Sequence, residues 1–370
     1  MLHAALLGGA GLVGVAIAGC GGEEESPQPT SEPAPMSTEG PPVLLTTPEP
    51  GLARTGWVQL KPSGELPAAR VQHSLAWNDA AGQVYLFGGS SAGTLLDDLW
   101  AFNVDSPAWT RVQPEGPSPP ARFGHSAVFD PGEGRMLVLG GQAGETFFND
   151  LWAFTSRDNA WAQITPAGAL PTPRQGAGVA LDTEAGRLYV THGVSNQGYL
   201  DDTWVLDLAS AAWEEVSAPA GRPSKRGLLR AVWYPSGGRL VVFGGESAEQ
   251  PFLGDVWSFD PVGRVWEELP PGENFPKPRK QYGAVYVPDR EWMLIFGGAG
   301  EGVNFKDLWF YVPPDVGWGY ISTFGVDPGS RSGHDLAFVP RRLSVILFGG
   351  VRMGQEMQEV WELGVGKPEG

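Results

Sequence analysis

The chain has 370 residues, 25 of them Lys or Arg and 42 Asp or Glu, which gives a formal net charge of −17. This charge argues against nucleic acid and anionic lipid surfaces as partners, because both repel an acidic protein. A single cysteine excludes an intramolecular disulfide bond. The length alone would favour two domains, but the sequence repeat described below indicates one repeated architecture.

The first residues have the pattern of an export signal. Residues 1–19 contain no Lys, Arg, Asp or Glu, and the run from Ala4 to Ala18 is apolar. This run is short for a bilayer span and typical of a signal-peptide core. The residues from Ile17 to Cys20 resemble the bacterial lipobox, which implies cleavage after residue 19 and a lipid on Cys20. The alternative is an ordinary cleaved signal followed by a cysteine without a special role.

Residues 20–50 are expected to form a disordered tether that begins at the lipidated cysteine. They are rich in Pro, Glu, Ser and Thr and show no apolar periodicity. Such a composition cannot bury enough apolar surface to offset the entropy that is lost on ordering. We therefore predict a flexible link between a membrane anchor and a folded domain that spans residues 51–364, followed by a tail of residues 365–370.

The repeated unit is clearest between Arg122 and Ile164. This stretch holds four short apolar runs, which are separated by Gly, Pro, Asn and Asp. Each run has the length of a strand, and alternation or β-branched and aromatic residues mark most of them. The pattern predicts one antiparallel four-stranded sheet, whose strands we name a, b, c and d in chain order.

Four markers repeat this unit in one register, and the glycine pairs recur every 52 or 53 residues. Glycine pairs begin at Gly88, Gly140, Gly244, Gly297 and Gly349, with His192 in the third place. An arginine opens strand a at Arg70, Arg122, Arg174, Arg226, Arg279 and Arg331. An acid precedes the strand-c tryptophan by two residues at Asp98, Asp150, Asp202, Asp255, Asp307 and Glu359. The strand-d tryptophans are Trp57, Trp109, Trp161, Trp213, Trp266 and Trp318. This period is typical of β-propeller blades.

The repeat resembles the kelch repeat over residues 56–363, through its Gly-Gly after strand b, its strand-c aromatic and its strand-d tryptophan. The resemblance implies an all-β, six-bladed propeller, with strands a to d running outward from the axis. Trp57 to Leu60 match a strand d without its own first three strands, and the last repeat, residues 331–363, lacks a strand d. We therefore predict that the N-terminal strand completes the last blade and closes the ring.

Loop lengths indicate where a ligand would bind. In an up-and-down sheet, the b–c loops and d–a links emerge on one face, the b–c/d–a face, and the a–b and c–d turns on the other, the a–b/c–d face. The first set is long and varied, as in Ser90 to Asp97, and the second is short. Because variable loops on a rigid scaffold commonly carry binding, we place function on the b–c/d–a face.

Cations on this face are the candidate ligand contacts. The six repeated arginines would ring one mouth of the axial channel and could attract an anion; the alternative is that each forms a salt bridge with a repeated acid. The links before blades 4 and 5 concentrate cations, which we call the basic sector: Arg222, Lys225, Arg226, Arg230, Lys277, Arg279 and Lys280, with Tyr282 beside them. The alternative interpretation of this sector is a solvated charge run. The candidate ligand-binding residues are Arg174, Lys225, Arg226, Arg230, Lys277, Arg279, Lys280 and Tyr282.

The sequence predicts no catalytic residue, metal or cofactor. His73, His125 and His334 each lie three residues after a repeated arginine, and a neutral imidazole bonded to a neighbouring blade explains them better than a metal does. The copper radical site of kelch-type oxidases needs a cysteine bonded to tyrosine, and Cys20 is the only cysteine. Gly89 to Gly93 match G-x-S-x-G without the helix that a nucleophile elbow requires.

The sequence supports two functional hypotheses. The favoured one is a lipid-anchored binding module outside the bacterial inner membrane, at the outer membrane or cell surface, whose partner is a protein or glycan, with anionic ligands included. The alternative is an exported carbohydrate-active enzyme, since the chain is similar in architecture to sialic acid mutarotases. No residue of that enzyme family can be placed on this sequence.

Overall fold

The computed structural model describes residues 56–313 and 317–366. The predicted signal peptide, the lipidation site at Cys20 and the tether lie outside these residues. Within the described ranges, no helix has both the length and the apolar character needed to cross a membrane.

Six antiparallel sheets of four main strands form the blades, which confirms the predicted all-β, six-bladed propeller. The a strands are Ser74–Asn78, Ser126–Asp130, Gly178–Asp182, Arg230–Tyr234, Gly283–Val287 and Ser332–Val339. The b strands are Gln83–Phe87, Arg135–Leu139, Arg187–Thr191, Arg239–Gly245, Trp292–Phe296 and Ser344–Arg352. The c strands are Leu99–Asn103, Leu151–Thr155, Thr203–Asp207, Leu253–Asp260, Leu308–Val312 and Val360–Gly364. The d strands are Ala108–Val112, Ala160–Ile164, Ala212–Glu215, Val265–Leu269, Gly317–Tyr320 and Trp57–Leu60.

The two faces differ in their connections, as predicted. Four b–c loops contain a small hairpin, formed by Ser90–Ser91 with Thr94–Leu95, Gln142–Ala143 with Thr146–Phe147, Val194–Ser195 with Gly198–Tyr199, and Ala299–Gly300 with Val303–Asn304. In blade 6, Gln355–Glu356 pairs with the end of strand b. Three a–b turns are single 3₁₀ turns that begin with proline, Pro235–Gly237, Pro288–Arg290 and Pro340–Arg342. Proline suits the first position of such turns because its φ is already near the helical value.

The N-terminal strand closes the ring, as the sequence predicted. Trp57 lies opposite Leu363 and Leu60 opposite Val360 in an antiparallel pair. Strand c of blade 6 is therefore paired on both sides, with strand b and with the N-terminal strand. Because the two ends of the described chain meet in one sheet, closure depends on contacts that are distant in sequence.

The hydrophobic core is divided among the interfaces between blades. Within the described residues, each of six buried clusters combines residues from two adjacent blades. The strand-d tryptophans supply much of this packing: the ring centroid of Trp57 lies 4.9 Å from that of Phe296, and that of Trp318 lies 4.8 Å from that of Phe243. These two pairs join blade 6 to blade 5 and blade 5 to blade 4, in the tilted geometries that aromatic rings prefer.

The glycine pair after strand b is required by space and by backbone conformation. Gly88 and Gly89 have φ values of 61° and 97°. A Cβ on Gly89 would lie 2.7 Å from the carbonyl oxygen of Val71, closer than real Cβ contacts. Any other residue would therefore strain the backbone here. His192 adopts φ of 57° in the equivalent place, where it is fully buried.

The fold extends one residue past the predicted boundary at 364. Val365 is buried and belongs to the core cluster between blades 5 and 6. Its amide donates to the carbonyl of Leu343, in the a–b turn of blade 6. The predicted tail of residues 365–370 therefore begins too early, because a buried valine with a paired amide is part of the propeller.

Candidate functional site

The six repeated arginines form salt bridges inside their own blades. Arg70 donates to both carboxylate oxygens of Asp98, at 2.6 and 2.8 Å, and to the carbonyl of Gly88 at 3.0 Å. The indole of Trp100 donates to the same carboxylate at 2.7 Å. Burial alone would raise the pKa of Asp98, but the bonds and charge of Arg70 outweigh it and lower that pKa. The carboxylate therefore stays ionised and paired at neutral pH.

This arrangement repeats in blades 2 to 5, and in blade 6 Arg331 contacts one carboxylate oxygen of Glu359, at 2.8 Å. The arginines are at most 3% exposed, and each contacts the acid two residues before the strand-c tryptophan. Of the two interpretations of the ring arginines, the structure shows the salt bridges. The six side chains do not line a channel mouth, because each guanidinium is buried against an acid and a carbonyl of its own blade, at the end of strand b.

Four of the candidate ligand contacts are buried. Arg174, Arg226 and Arg279 belong to the salt bridges. Tyr282 is fully buried; its hydroxyl donates to the carbonyl of Phe243 and accepts from the amide of Arg230. Since their polar atoms are paired inside the fold, the structure does not present these four side chains to a ligand. The sequence indicates which residues are charged or polar, but not whether their side chains point into the fold or into solvent.

The remaining cations of the basic sector lie apart. Lys280 pairs with Glu246 and is mostly covered, and Arg222 pairs with Asp201. Lys225 and Lys277 are exposed, and no acid pairs with either among the residues that the structure describes. Arg230 is the exception: it is not on the b–c/d–a face but in the axial channel. Only two exposed, uncompensated lysines are therefore left of the predicted sector.

The three histidines pack between blades as neutral groups. His125 shares a hydrogen bond of 2.8 Å with the hydroxyl of Ser74, and His334 one of 3.1 Å with the carbonyl of Phe296, each in the preceding blade. Burial lowers the pKa of His125 to about 3 and that of His73 and His334 well below the ordinary value. In the part of the chain that is described, no group of His, Cys, Asp or Glu has the geometry of a metal site.

A closed circle of backbone hydrogen bonds surrounds the axis near the b–c/d–a face. In each blade, the residue two after the repeated arginine donates its amide to the equivalent carbonyl of the preceding blade, at 2.7–3.0 Å. The members are Gln72, Gly124, Gly176, Leu228, Gln281 and Gly333, which we call the axial ring. All six have φ between 55° and 68°, which turns their amides along the circle. Together with Arg230, the ring leaves a cavity of only about 40 Å³ at this end of the axis.

The axis widens toward the opposite face. A cavity of about 660 Å³ is lined by the a strands of all six blades and by the a–b turns, including Pro235, Pro288 and Pro340. Its walls are mainly apolar, and its inner end carries Arg230 and Asp335, whose side chains approach to 3.0 Å. Sequence reasoning placed the ligand at the other mouth of the axial channel, and it missed the acid of this cavity. Alignment of the repeats could have drawn attention to this acid, because Asp335 occupies the position that Ser74 and Ser126 have in blades 1 and 2.

Exposed apolar side chains concentrate on the b–c/d–a face of blades 5 and 6. Phe324 and Val326, in the link to blade 6, are 71% and 76% exposed, and Met353, in the b–c loop of that blade, is 93% exposed. Phe275 and Val303 belong to the link and loop of blade 5 on the same face. Phenylalanine and methionine are enriched at the centres of protein interfaces.

Comparisons with known proteins agree with this architecture. The family model of the KLHDC2/KLHL20/DRC7 Kelch-repeats domain matches residues 51–235 and 221–368. The chain is 26% identical, over 72% of its length, to the leucine-zipper-like transcriptional regulator 1 homolog of Drosophila melanogaster, and covers 28% of that protein. It is 30% identical, over 58% of its length, to the host cell factor homolog hcf-1 of Caenorhabditis elegans, and covers 30% of it. Adagio protein 3 of Arabidopsis thaliana is 27% identical over 76% of the chain, which covers 48% of that protein.

The chain thus spans less than half the length of these three relatives. The family match extends over nearly all of the described residues and includes the strand that closes blade 6. On the blade repeat, the ring closure and this match, the chain belongs to the kelch-repeat β-propeller family.

Proposed function

We propose that this propeller is a binding module that recognises a protein through the b–c/d–a face of blades 5 and 6. The observation that carries the proposal is the group of exposed apolar side chains there, led by Phe324, Val326 and Met353. Kelch propellers are typical protein-interaction modules, and exposed aromatic and methionine side chains on varied loops suit that role.

A protein fits this face better than the other partners considered. An anionic ligand would depend on Lys225 and Lys277, because the other cations of the basic sector are paired or point elsewhere. A glycan would gain from exposed tryptophans, but the strand-d tryptophans are packed between blades. An enzyme acting on this face has little support, because the axial ring constricts the channel here.

Substitution of both Phe324 and Val326 by Ser should remove the partner without unfolding the propeller. Loss of interface anchors commonly weakens binding about tenfold or more, whereas exposed substitutions change the free energy of unfolding by roughly 0.5 kcal/mol or less each. Cross-linking and co-purification from the cells that make the protein, quantified by mass spectrometry, measures the effect. The matched control replaces Val262 and Val265, which are also exposed but lie near the c–d turn of blade 4. Equal recovery of the same proteins with both double variants would contradict the assignment of this face.

We further propose that Cys20 carries the lipid that holds the module at a bacterial cell envelope, outside the cytoplasmic membrane. The support is the lipobox-like sequence before Cys20 and the Pro-, Glu-, Ser- and Thr-rich segment after it. A single acyl chain binds membranes only marginally, so stable attachment needs two or more.

Replacing Cys20 by Ser should move the protein from the membrane fraction to the soluble fraction. The reason is that the described propeller offers no apolar helix of spanning length, so attachment would depend on the lipid. Cell fractionation followed by immunoblotting checks the result, with Ser26→Ala in the tether as the control. A variant that stays in the membrane pellet as the wild type does would contradict the lipid anchor.

A further inference from the structure

The axial channel has the construction of a small-molecule site. Its volume of about 660 Å³ lies within the range of known ligand pockets, and apolar walls with a few polar groups are their usual lining. The axial ring and Arg230 constrict one end to about 40 Å³, so a ligand would enter from the a–b/c–d face. This is the face opposite to the proposed protein-binding surface, so the inference is independent of that proposal.

The channel walls consist of layers of side chains, and each layer is formed by equivalent positions of the six a strands. The outermost strand-a layer has six large apolar residues, five of them aromatic: Trp77, Phe129, Leu181, Trp233, Tyr286 and Phe338. The next two layers inward are aliphatic, and include Val128, Val232 and Leu336. Such walls would bind an apolar body and disfavour a charged one, except at the inner end.

The inner end carries one ion pair. Arg230 of blade 4 reaches past blade 5, where the equivalent residue is Gly283, to Asp335 of blade 6. The nitrogen–oxygen distance is 3.0 Å, and the side chains are 25% and 8% exposed. Arg230 lines the narrow end of the axis together with His73, His125 and His334 of blades 1, 2 and 6. The guanidinium therefore lies near the axis.

Asp335 and Arg230 differ in how many of their polar atoms have a hydrogen-bond partner. The second carboxylate oxygen of Asp335 accepts from the amide of Leu75 at 2.9 Å, so both of its oxygens have a partner. The guanidinium of Arg230 has five N–H donors, and within residues 56–313 and 317–366 its one oxygen partner is Asp335. By contrast, Arg226 donates to two oxygens of Asp255, to the carbonyl of Gly244 and to Ser224. Among the described residues, Arg230 thus has N–H donors without a protein partner, and its side chain lines the channel.

We propose that the axial channel binds a small carboxylic acid with an aromatic or alicyclic body, whose carboxylate pairs with Arg230. A planar guanidinium with free donors matches a carboxylate in two parallel hydrogen bonds, and such bonds strengthen where water is excluded. Asp335 contacts the same guanidinium through one carboxylate oxygen, so it competes with the ligand for that contact. The apolar layers would enclose the rest of the ligand.

The test uses three acids, indole-3-acetate, trans-cinnamate and cyclohexanecarboxylate, each paired with its uncharged primary amide. Binding to the purified full chain is measured by isothermal titration, and by quenching of tryptophan fluorescence, to which Trp77 and Trp233 in the channel wall would contribute. At least one acid should bind with one-to-one stoichiometry, and about 10- to 100-fold more tightly than its amide, since bonds to a charged group are lost with the amide. Failure of all three acids to bind would overturn the proposal.

Two substitutions should have opposite effects. Arg230→Gln should weaken binding of the acid about 10- to 100-fold, whereas Asp335→Asn should strengthen it, because the competing carboxylate is removed. Should Arg230→Gln not fold, the double variant Arg230→Gln/Asp335→Asn avoids an unpaired buried charge and should still lose the acid. Lys225→Gln, on the opposite face, is the control and should bind as the wild type does. Unchanged affinity in the variants that lack Arg230 would overturn the proposal.

Discussion

The substitution Trp57→Ala should lower the free energy of unfolding by about 3–5 kcal/mol, the usual cost of truncating a buried aromatic side chain to alanine. Trp57 is 4% exposed and packs against Phe296, and its strand is the one that completes blade 6. If the closing strand detaches, the loss of stability should be larger than that from a single contact, since the outer edge of strand c would then be unpaired. Urea-induced unfolding, followed by tryptophan fluorescence and by circular dichroism, measures the change.

The neighbouring residue gives a matched control for this prediction. Val58 lies in the same strand, but its side chain is 58% exposed. Val58→Ala should therefore change the free energy of unfolding by no more than about 0.5 kcal/mol. Equal stability of the Trp57→Ala and Val58→Ala variants would contradict the closure of the ring by residues 57–60.

Asp98→Asn should also destabilise the propeller by about 3–5 kcal/mol, because it leaves the buried charge of Arg70 without its counter-ion. Arg70 is fully buried, and both oxygens of Asp98 accept from it. The same carboxylate accepts from the indole of Trp100, so one change disturbs strands a and c together. Chemical denaturation at pH 7 would show the loss as a lower unfolding midpoint.

An exposed ion pair separates the effect of burial from that of charge. Arg264 and Glu214 form a salt bridge in which the side chains are 49% and 59% exposed. Glu214→Gln should cost at most about 1 kcal/mol, since exposed pairs are screened by water and salt. If Asp98→Asn were as mild as Glu214→Gln, the buried salt bridges would not have the structural role assigned to them here.

Much of the fold follows from features that repeat at a fixed spacing. The glycine pairs, the repeated tryptophans and the unmatched strand at Trp57 predict the number of blades and their closure, because each depends on local chemistry at a known register. The pairing of Arg70 with Asp98 was one of two interpretations, since regular repetition suits both a salt bridge and a ring of free cations. Burial decides between them, and burial is a property of the folded chain.

The candidate site was less predictable, since it depends on directions and on contacts across the axis. Arg230 belongs to the predicted basic sector by sequence, but its position at the start of strand a turns it into the channel, toward Asp335 of another blade. Sequence reasoning counted the charges of Arg226 and Arg279 as available, although both are used inside their blades. The axial ring is also hidden in the sequence, because Gln72 and Leu228 adopt positive φ without being glycine.

The axial ring constricts one end of the channel and so assigns different roles to the two faces. Hydrogen exchange at the amides of Gln72, Gly124, Gly176, Leu228, Gln281 and Gly333 tests it most directly, by NMR or by mass spectrometry with short peptides. If the circle of hydrogen bonds is present, these amides exchange only through large-scale opening and are protected nearly as well as those of the b strands. Exchange as fast as in the exposed d–a links would contradict the ring, and with it the separation of the two faces.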